Sequence, residues 1–391
     1  MKIAILDGNM KDTPSGGTIT YITKYFFPAL MTDPTNDLYV LTWDGSGSSV
    51  VRDYALENNI SIVDLTPSSM SSYKEFINSL DAVFTSDVMP VWNKDKAHSF
   101  YEEFKKVDTK LIATVHTTMD SLVKNKHINH EDNLLTHPNL FSAIIYRPSY
   151  YDLIMGKYKD VHNPSYKFTD RNDYIVHKPY VGYLDTTNLV DWKDRDNAIG
   201  FMGRTSPDKK YYMFMRGVNQ GLAESFDKYI YATDESAMWY WDRVKYDQEF
   251  EKMTDEQKSK WEFIPKYVPD DVPSISNKLR FVSIPTMKPD IVFPGEWVGQ
   301  EAMYTGVIPI CTDNISVGLP EELSFLKDFS HKASTRVTPN YDDMVSKYSE
   351  DQLAEFSERL IKYSHKNWGS LEDARDHLYG VIFGRKQSDL Q

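Results

Sequence analysis

The sequence predicts an α/β protein made of two doubly wound, Rossmann-like domains that face one another across a cleft. Three observations support this fold class. Short apolar runs alternate with amphipathic segments along most of the chain, as expected for a parallel sheet covered by helices on both faces. The alternation stops in a polar, turn-rich stretch between about 157 and 197 and then restarts. The length, 391 residues, suits two compact domains.

The first predicted domain, residues 1–185, begins with a buried strand. Its predicted strands are 2–7, 37–43, 60–65, 81–87, 110–116 and a run that begins near Phe141. Residues 18–31 are predicted to form the first helix, directly after Gly16 and Gly17. Glycines at this point would let the backbone approach a phosphate or a sugar closely, and a plain glycine-rich turn explains them equally well.

The second predicted domain, residues 186–391, repeats the alternation. Its first strand is "AIGFMG", and a helix from Tyr211, a strand at 228–234 and the buried strand "VIPICTD" follow. The mixed charges of 247–263 at i,i+4 spacing predict a single solvated helix. Two amphipathic helices are predicted near the end of the sequence, and the last one can pack back on the first domain.

Composition narrows the class of protein. The sequence is 41% hydrophobic and 26% charged, as in soluble globular proteins, and no apolar run approaches the roughly 18 residues that span a membrane. Met1 leads straight into a strand without a cleavable signal, and Cys311 is the only cysteine, so we expect a cytoplasmic protein without an intrachain disulfide. The net charge of −13 disfavours nucleic acid as a partner, although a local basic cleft stays compatible with it.

An anion site is predicted where the first strand of the second domain ends. Gly203 ends that strand, Arg204 follows at once, and Lys209 comes after a Ser-Pro-Asp turn. The start of the next helix would present backbone N–H groups and a positive dipole end there, and an arginine fork with a lysine suits a diphosphate. Surface salt bridges are the alternative explanation of these charges.

A second motif, "PGEWVGQEAMYTGVIPI" at 294–310, places Glu296 and Glu301 around the start of a helix. A carboxylate at such a site commonly accepts hydrogen bonds from paired sugar hydroxyls. A capping role is the structural alternative for Glu301.

These two motifs carry a resemblance to a known family. "GR…K" followed by "E…EAM…G.IP" resembles the donor site of retaining glycosyltransferases with two Rossmann domains, the GT-B architecture. The spacing from Arg204 to Lys209 and the short interval from Glu296 to Glu301 are similar to one branch, the DNA α-glucosyltransferases of T-even phages. "DWKD" before "GRT", and "KLIATVH" followed by "SLVKN", extend the resemblance, which is scattered from Met1 to about residue 310.

The resemblance implies a UDP-sugar donor, with UDP-glucose the expected one. Arg204 and Lys209 would hold the diphosphate, Glu301 the ribose hydroxyls, and Glu296 the sugar or phosphate side. No metal and no tightly bound cofactor are expected, because the cations can stabilise the leaving diphosphate themselves. Retention of configuration is likewise implied by the resemblance alone.

His116 ends a predicted strand, where a lone histidine is usually structural. The resemblance makes it a contact to the donor sugar or to the acceptor. The family has a carboxylate beside this histidine, whereas Thr117 and Thr118 follow here, and Asp120 is the nearest acid. A mechanism in which the departing phosphate takes the acceptor's proton needs no such base.

The acceptor implied by the resemblance is 5-hydroxymethylcytosine in double-stranded phage DNA, in the host cytoplasm. Cations interleaved with aromatic residues over 157–178 suit a nucleic-acid strand, and an ordinary exposed loop explains that stretch equally well. The alternative is a glycan, lipid or protein acceptor, which the negative charge favours. A nucleotide-dependent oxidoreductase is disfavoured because no GxGxxG fingerprint is present, and a DNA-binding module without catalysis is disfavoured by the acidity.

Overall fold

The structure is a computed structural model in which the chain divides into two compact units. Unit 1 comprises Met1–Lys178 and Leu371–Gln391, and unit 2 comprises Pro179–Ser370. The structure describes residues 1–9, 17–86, 91, 93–116, 133–146, 165–166, 174–286, 293–314, 316–332 and 337–385.

Within the described residues, unit 1 is built on one sheet of seven parallel strands. The strands are β1 (Lys2–Leu6), β2 (Asp37–Trp43), β3 (Ser61–Leu65), β4 (Ala82–Ser86), β5 (Leu111–Val115), β6 (Leu140–Ile145) and β7 (Tyr174–Val176). The helices of the described residues before 179 are α1 (Gly17–Thr20), α2 (Phe27–Met31), α3 (Ser49–Glu57), α4 (Met70–Asn78) and α5 (Lys94–Phe104), with a 3-10 turn at Leu134–Thr136. The strand order is β3-β2-β1-β4-β5-β6-β7.

The predicted helix 18–31 is confirmed, with an irregular centre. A π-helical segment, Tyr21–Phe26, connects α1 to α2. Tyr21, Tyr25 and Phe26 of this segment are fully buried, so large apolar side chains anchor the helix to the sheet although its hydrogen bonding is irregular.

Unit 2 repeats the same sheet topology with six described parallel strands. The strands are β8 (Ala198–Met202), β9 (Lys228–Ala232), β10 (Trp261–Ile264), β11 (Phe281–Ile284), β12 (Ile308–Thr312) and β13 (Ser330–His331), in the order β10-β9-β8-β11-β12-β13. The helices are α6 (Tyr211–Asn219), α7 (Tyr240–Glu251), α8 (Asp255–Ser259), α9 (Val272–Ser276), α10 (Trp297–Tyr304), α11 (Tyr341–Val345) and α12 (Glu350–Trp368). The 3-10 segments are Trp192–Asp194, Pro207–Lys209, Glu235–Ala237, Pro269–Asp271 and Glu321–Phe329.

The last helix, α13 (Leu371–Ile382), belongs to unit 1. It packs against α2 and β6. Its Tyr379 hydroxyl donates to Asp33 and accepts from the Asn36 amide, both at 2.8 Å. Unit 1 is therefore assembled from two separate parts of the sequence.

Both sheets have a topological switch point, the place where the strand order reverses. It lies between β1 and β4 in unit 1 and between β8 and β11 in unit 2. In open parallel sheets, ligands bind outside the carboxyl ends of the two strands that flank this point. The predicted α/β class with two doubly wound sheets is confirmed, and the site is to be sought at these strand ends.

The prediction of one helix over 247–263 is wrong. Helix α7 ends at Glu251, and Thr254 starts α8 with a capping box that includes the Gln257 side chain. The final residues form strand β10 instead, because Trp261 and Phe263 pair with β9 and pack against Tyr231. Strand pairing and the packing of these half-buried aromatic rings outweigh the helical charge pattern before them. No helix among the described residues has the length and apolar character needed to cross a membrane.

Candidate functional site

The loop after β8 carries the predicted anion-binding residues. Gly203 has φ +128, a conformation that L side chains rarely adopt, and it turns the chain away from the buried strand. Arg204 follows with 54% of its side chain exposed, and it makes local contacts to Ser206 (3.2 Å) and Asp208 (3.5 Å). The arginine fork therefore lies at the surface, directly outside the carboxyl end of β8.

Lys210 ends this loop in a left-handed conformation, with φ 52, and is the N-cap of α6. This conformation is uncommon for a residue with a long side chain, and such backbone strain often marks functional sites. An ammonium group cannot accept hydrogen bonds, so the Lys210 side chain does not cap the backbone N–H groups in the first turn of α6. The start of α6 and the charges before it thus favour an anion.

An ion pair joins this loop to the segment after β11. The ammonium group of Lys209 donates to Oε2 of Glu296, which is the N-cap residue of α10. The Glu296 side chain is 8% exposed and that of Lys209 is 29% exposed. Because β8 and β11 flank the switch point, the structure brings these two predicted residues together where the topology predicts a ligand.

Glu301 lies deeper, in the second turn of α10. Its carboxylate accepts hydrogen bonds from the hydroxyls of Tyr183 (2.5 Å) and Tyr267 (3.1 Å), and the residue is 2% exposed. Burial raises the pKa of Glu301 to about 7, although both tyrosine hydroxyls lower it. The capping alternative is wrong for Glu301, because Glu296 occupies the N-cap position.

The two tyrosines were missed by sequence reasoning. Tyr183 precedes β8 and Tyr267 follows β10, so each is distant from Glu301 along the chain. Each carboxylate oxygen has two lone pairs, so Glu301 can accept further hydrogen bonds from paired hydroxyl groups of a ligand.

A buried arginine supports the far end of α10. Arg195 donates from Nε to the Val190 carbonyl (2.9 Å), from Nη1 to Leu279 (3.4 Å) and from Nη2 to Thr305 (2.8 Å). Burial lowers the pKa of Arg195 to about 10, so the side chain stays charged at neutral pH. Thr305 directly follows α10, so this cation also stabilises the negative end of the helix dipole.

In unit 1, only part of the predicted site falls on described residues. Gly17 is the exposed first residue of α1. Gly16 and Asp120 lie outside the described residues, as does most of the basic and aromatic stretch 157–178.

His116 directly follows β5 and is half-buried. The centroid of its ring lies 4.9 Å from that of Tyr21 and 4.4 Å from that of Tyr146. Tyr146 stacks on His177 at 4.0 Å, and burial lowers the pKa of His177 well below its usual value. Since Tyr146 follows β6 and His177 follows β7, these rings form a row along the carboxyl ends of three neighbouring strands.

The sequence matches no protein-family model and no curated protein. Solved structures resemble the chain over almost its whole length. Alr3699/HepE from Anabaena in complex with UDP has a TM-score of 0.69 at 10% identity, covering 98% of this chain and 100% of that chain. A glycosyltransferase from Rickettsia africae ESF-5 has a TM-score of 0.68 at 13% identity, with coverages of 98% and 99%.

A third structure resembles the chain slightly less. It is an alpha-glucosyltransferase in complex with UDP-glucose and DNA containing an abasic site, with a TM-score of 0.63 at 12% identity and 98% coverage of both chains. These likenesses show that the chain has the two-Rossmann-domain fold of GT-B glycosyltransferases.

Proposed function

We propose that this protein is a UDP-sugar-dependent glycosyltransferase whose nucleotide sugar binds in unit 2, outside the carboxyl ends of β8 and β11. One observation carries the proposal. Arg204 and Lys209 lie on one side of the switch point, and Glu296 and buried Glu301 lie on the other. The fold is shared with structures that contain UDP and UDP-glucose, which supports the choice of ligand.

Each residue has a distinct role in this proposal. Arg204 and Lys209 bind the diphosphate, and Lys209 exchanges part of its contact with Glu296 for a phosphate oxygen. Glu301 accepts hydrogen bonds from the ribose hydroxyls, and Glu296 faces the sugar. As the bond between the sugar carbon and the phosphate oxygen breaks, the two cations stabilise the developing charge on UDP. No metal is required for that stabilisation.

The proposed acceptor is the hydroxymethyl group of 5-hydroxymethylcytosine in double-stranded DNA. The motif resemblance supports it, and one structure with the same fold was solved with UDP-glucose and DNA. The modified base would leave the helix, because an enzyme cannot reach a stacked base. With retention of configuration, the acceptor oxygen bonds to the sugar carbon while its proton passes to the departing phosphate oxygen.

A glycan acceptor is the second candidate, because the net charge of −13 opposes binding to a polyanion. One assay separates the two. The protein is incubated with UDP-glucose and DNA that contains 5-hydroxymethylcytosine, with unmodified DNA as control, and the DNA mass is measured. A gain of one hexose on the modified DNA alone is expected. Hydrolysis of UDP-glucose without a DNA product would move the assignment to the glycan.

The binding of UDP-glucose is expected to depend on pH through Glu301. Ribose hydroxyls donate to the ionised carboxylate, and the pKa of Glu301 is raised to about 7. The fraction of the protein in which Glu301 is ionised, and therefore able to bind the ribose, falls as the pH decreases. The dissociation constant for UDP-glucose should rise about tenfold between pH 8 and pH 6. Titration calorimetry with UDP-glucose measures this directly, since its diphosphate has no terminal phosphate that titrates in this range.

Glu301→Gln provides the control for this effect. The variant should bind UDP-glucose more weakly at pH 8 and should lose the pH dependence. Parent affinity that is constant from pH 6 to pH 8 would leave Glu301 with only a structural role, as a link between Tyr183 and Tyr267.

His116→Ala is expected to reduce sugar transfer more than it reduces the affinity for UDP. In the proposed function, His116 contacts the donor sugar or the acceptor, and neither of these is part of UDP. His98→Ala is the matched control, because His98 is exposed on α5. An unchanged transfer rate together with a lowered melting temperature would assign His116 to the packing of Tyr21 and Tyr146.

A further inference from the structure

Three consecutive aromatic residues are exposed where α7 begins in unit 2. Trp239, Tyr240 and Trp241 have exposed fractions of 70%, 71% and 75%. Tyr240 and Trp241 are in edge contact, with ring centroids 5.1 Å apart and planes 72° apart. A contiguous exposed apolar patch of this kind marks an interaction site more often than an isolated exposed ring does. We call these three residues the aromatic platform.

The aromatic platform lies close to the loop that carries Arg204. It follows β9, whose neighbour in the sheet is β8, so both lead to the same edge of the sheet. The hydroxyl of Tyr211, the first residue of α6, donates to the carbonyl of Asp242 at 2.9 Å. The charges of Asp208 and Arg204 also act on the Asp242 carboxylate, which is the next residue after the platform.

A group of cations continues from the aromatic platform. Trp241 and Lys245 are four residues apart on α7 and therefore share a face of the helix. The Lys245 ammonium lies 3.6 Å from the ring centroid of Tyr212, with Arg216 at 5.1 Å and Lys210 at 5.8 Å from the same ring. We call Lys210, Arg216 and Lys245 the Tyr212 cations.

The Tyr212 cations are close enough to repel one another. Arg216 has an ion pair of 3.6 Å with Glu249, whose side chain is 5% exposed. Burial lowers the pKa of Lys245, and the positive charges of Arg216 and Lys210 lower it further, while the negative charges of Glu249 and Asp242 offset part of this shift. A ligand with its own negative charge would relieve this repulsion.

We propose that the aromatic platform and the Tyr212 cations together bind a strand of the acceptor DNA. Bases that are unpaired, including one that has left the duplex, stack on the platform rings, and backbone phosphates contact the Tyr212 cations. The inference rests on the proposed glycosyltransferase function, and it names the surface that receives the acceptor. The combination of flat aromatic faces with adjoining cations favours nucleic acid over a neutral glycan, because backbone phosphates can form ion pairs with the cations and a neutral glycan cannot.

Because the Tyr212 cations are only three residues, salt should weaken DNA binding only moderately. Three phosphate contacts on a single strand predict a slope of about −2 in a plot of log affinity against log salt concentration. Stacking therefore has to supply much of the affinity, which is consistent with a protein whose net charge is −13. Loss of one stacking ring should weaken binding by roughly five- to 150-fold.

Fluorescence anisotropy with labelled DNA that contains 5-hydroxymethylcytosine, as single strand and as duplex, tests the proposal. Trp241→Ala should weaken binding at least about fivefold, and Trp241→Phe should retain most of the affinity because a ring face remains. Lys245→Gln should make the salt slope shallower by about one. Phe383→Ala is the matched control, since Phe383 is a 65% exposed aromatic residue in unit 1. All four variants should bind UDP-glucose as the parent does.

The possible results separate this inference from the proposed function. If the parent glucosylates DNA and Trp241→Ala binds DNA equally well, the platform assignment is overturned and the function stands. If the parent binds no DNA but Trp241→Ala loses transfer to an oligosaccharide, the platform receives a glycan and the DNA proposal is wrong. If the parent binds DNA through Trp241 but never binds UDP-glucose, the glycosyltransferase proposal fails and the DNA surface stands.

Discussion

Replacing Arg204 with alanine is expected to weaken UDP-glucose binding by about 10- to 100-fold without changing the melting temperature. A hydrogen bond from a guanidinium group to a phosphate contributes about 1.5–3 kcal/mol, and each 1.4 kcal/mol is a factor of ten in affinity. The fold should tolerate the change, because the side chain is 54% exposed and its contacts within the described part of the chain are to Ser206 and Asp208 of its own loop. Calorimetric titration and thermal unfolding measure the two effects separately.

Two further variants make the Arg204 experiment specific. Arg204→Lys keeps the charge but loses the planar fork, so we expect an intermediate affinity. Lys228→Ala removes an exposed cation from the first residue of β9. This residue lies at the amino ends of the strands, whereas Arg204 lies at their carboxyl ends, so UDP-glucose affinity should be unchanged. Equal affinities for the parent and Arg204→Ala would contradict the proposed diphosphate site.

Replacing Arg195 with leucine is expected to destabilise unit 2 by about 2–4 kcal/mol. The variant leaves the carbonyls of Val190 and Thr305 without their charged donor, and the Thr305 carbonyl is buried. Removal of the desolvated charge offsets part of this loss. For a unit of this size, the melting temperature should fall by roughly 5–15 °C.

The control for this experiment lies in the same turn. Lys193 pairs with Asp351, and both side chains are largely exposed, so Lys193→Ala should leave the melting temperature unchanged. If Arg195→Leu unfolded at the same temperature as Lys193→Ala, water would have to replace the guanidinium, and the proposed support of α10 would be wrong.

Local sequence patterns predicted the parts of the site that are contiguous in the chain. Arg204 follows a buried strand, and Glu296 precedes a helix that feeds another buried strand, so both could be placed at strand ends from apolar periodicity alone. The tyrosine partners of Glu301 could not be found in this way. Tyr183 is 118 residues away from Glu301, and only the folded sheet brings them together.

The wrong prediction of a helix where β10 lies also arises from contacts between residues that are distant in the sequence. The charges of 247–263 have helical spacing, but the pairing of Trp261 with Tyr229 and its packing on Tyr231 are long-range contacts. The row formed by His116, Tyr146 and His177 also depends on strand order, which no local pattern contains. The aromatic platform, in contrast, is visible in the sequence as "WYW", but only the structure shows that it is exposed.

The return of α13 to unit 1 has a consequence during synthesis of the chain. The ribosome completes all of Pro179–Ser370 before it makes α13, so unit 2 can fold first on the nascent chain. Until α13 emerges, the surfaces of α2 and β6 that it covers stay open to solvent, because the buried side chains of α13, among them Leu378 and Val381, are not yet there to cover them. Unit 1 thus starts to form before unit 2 and becomes complete only after it, and an incomplete unit 1 would be a natural client for chaperones.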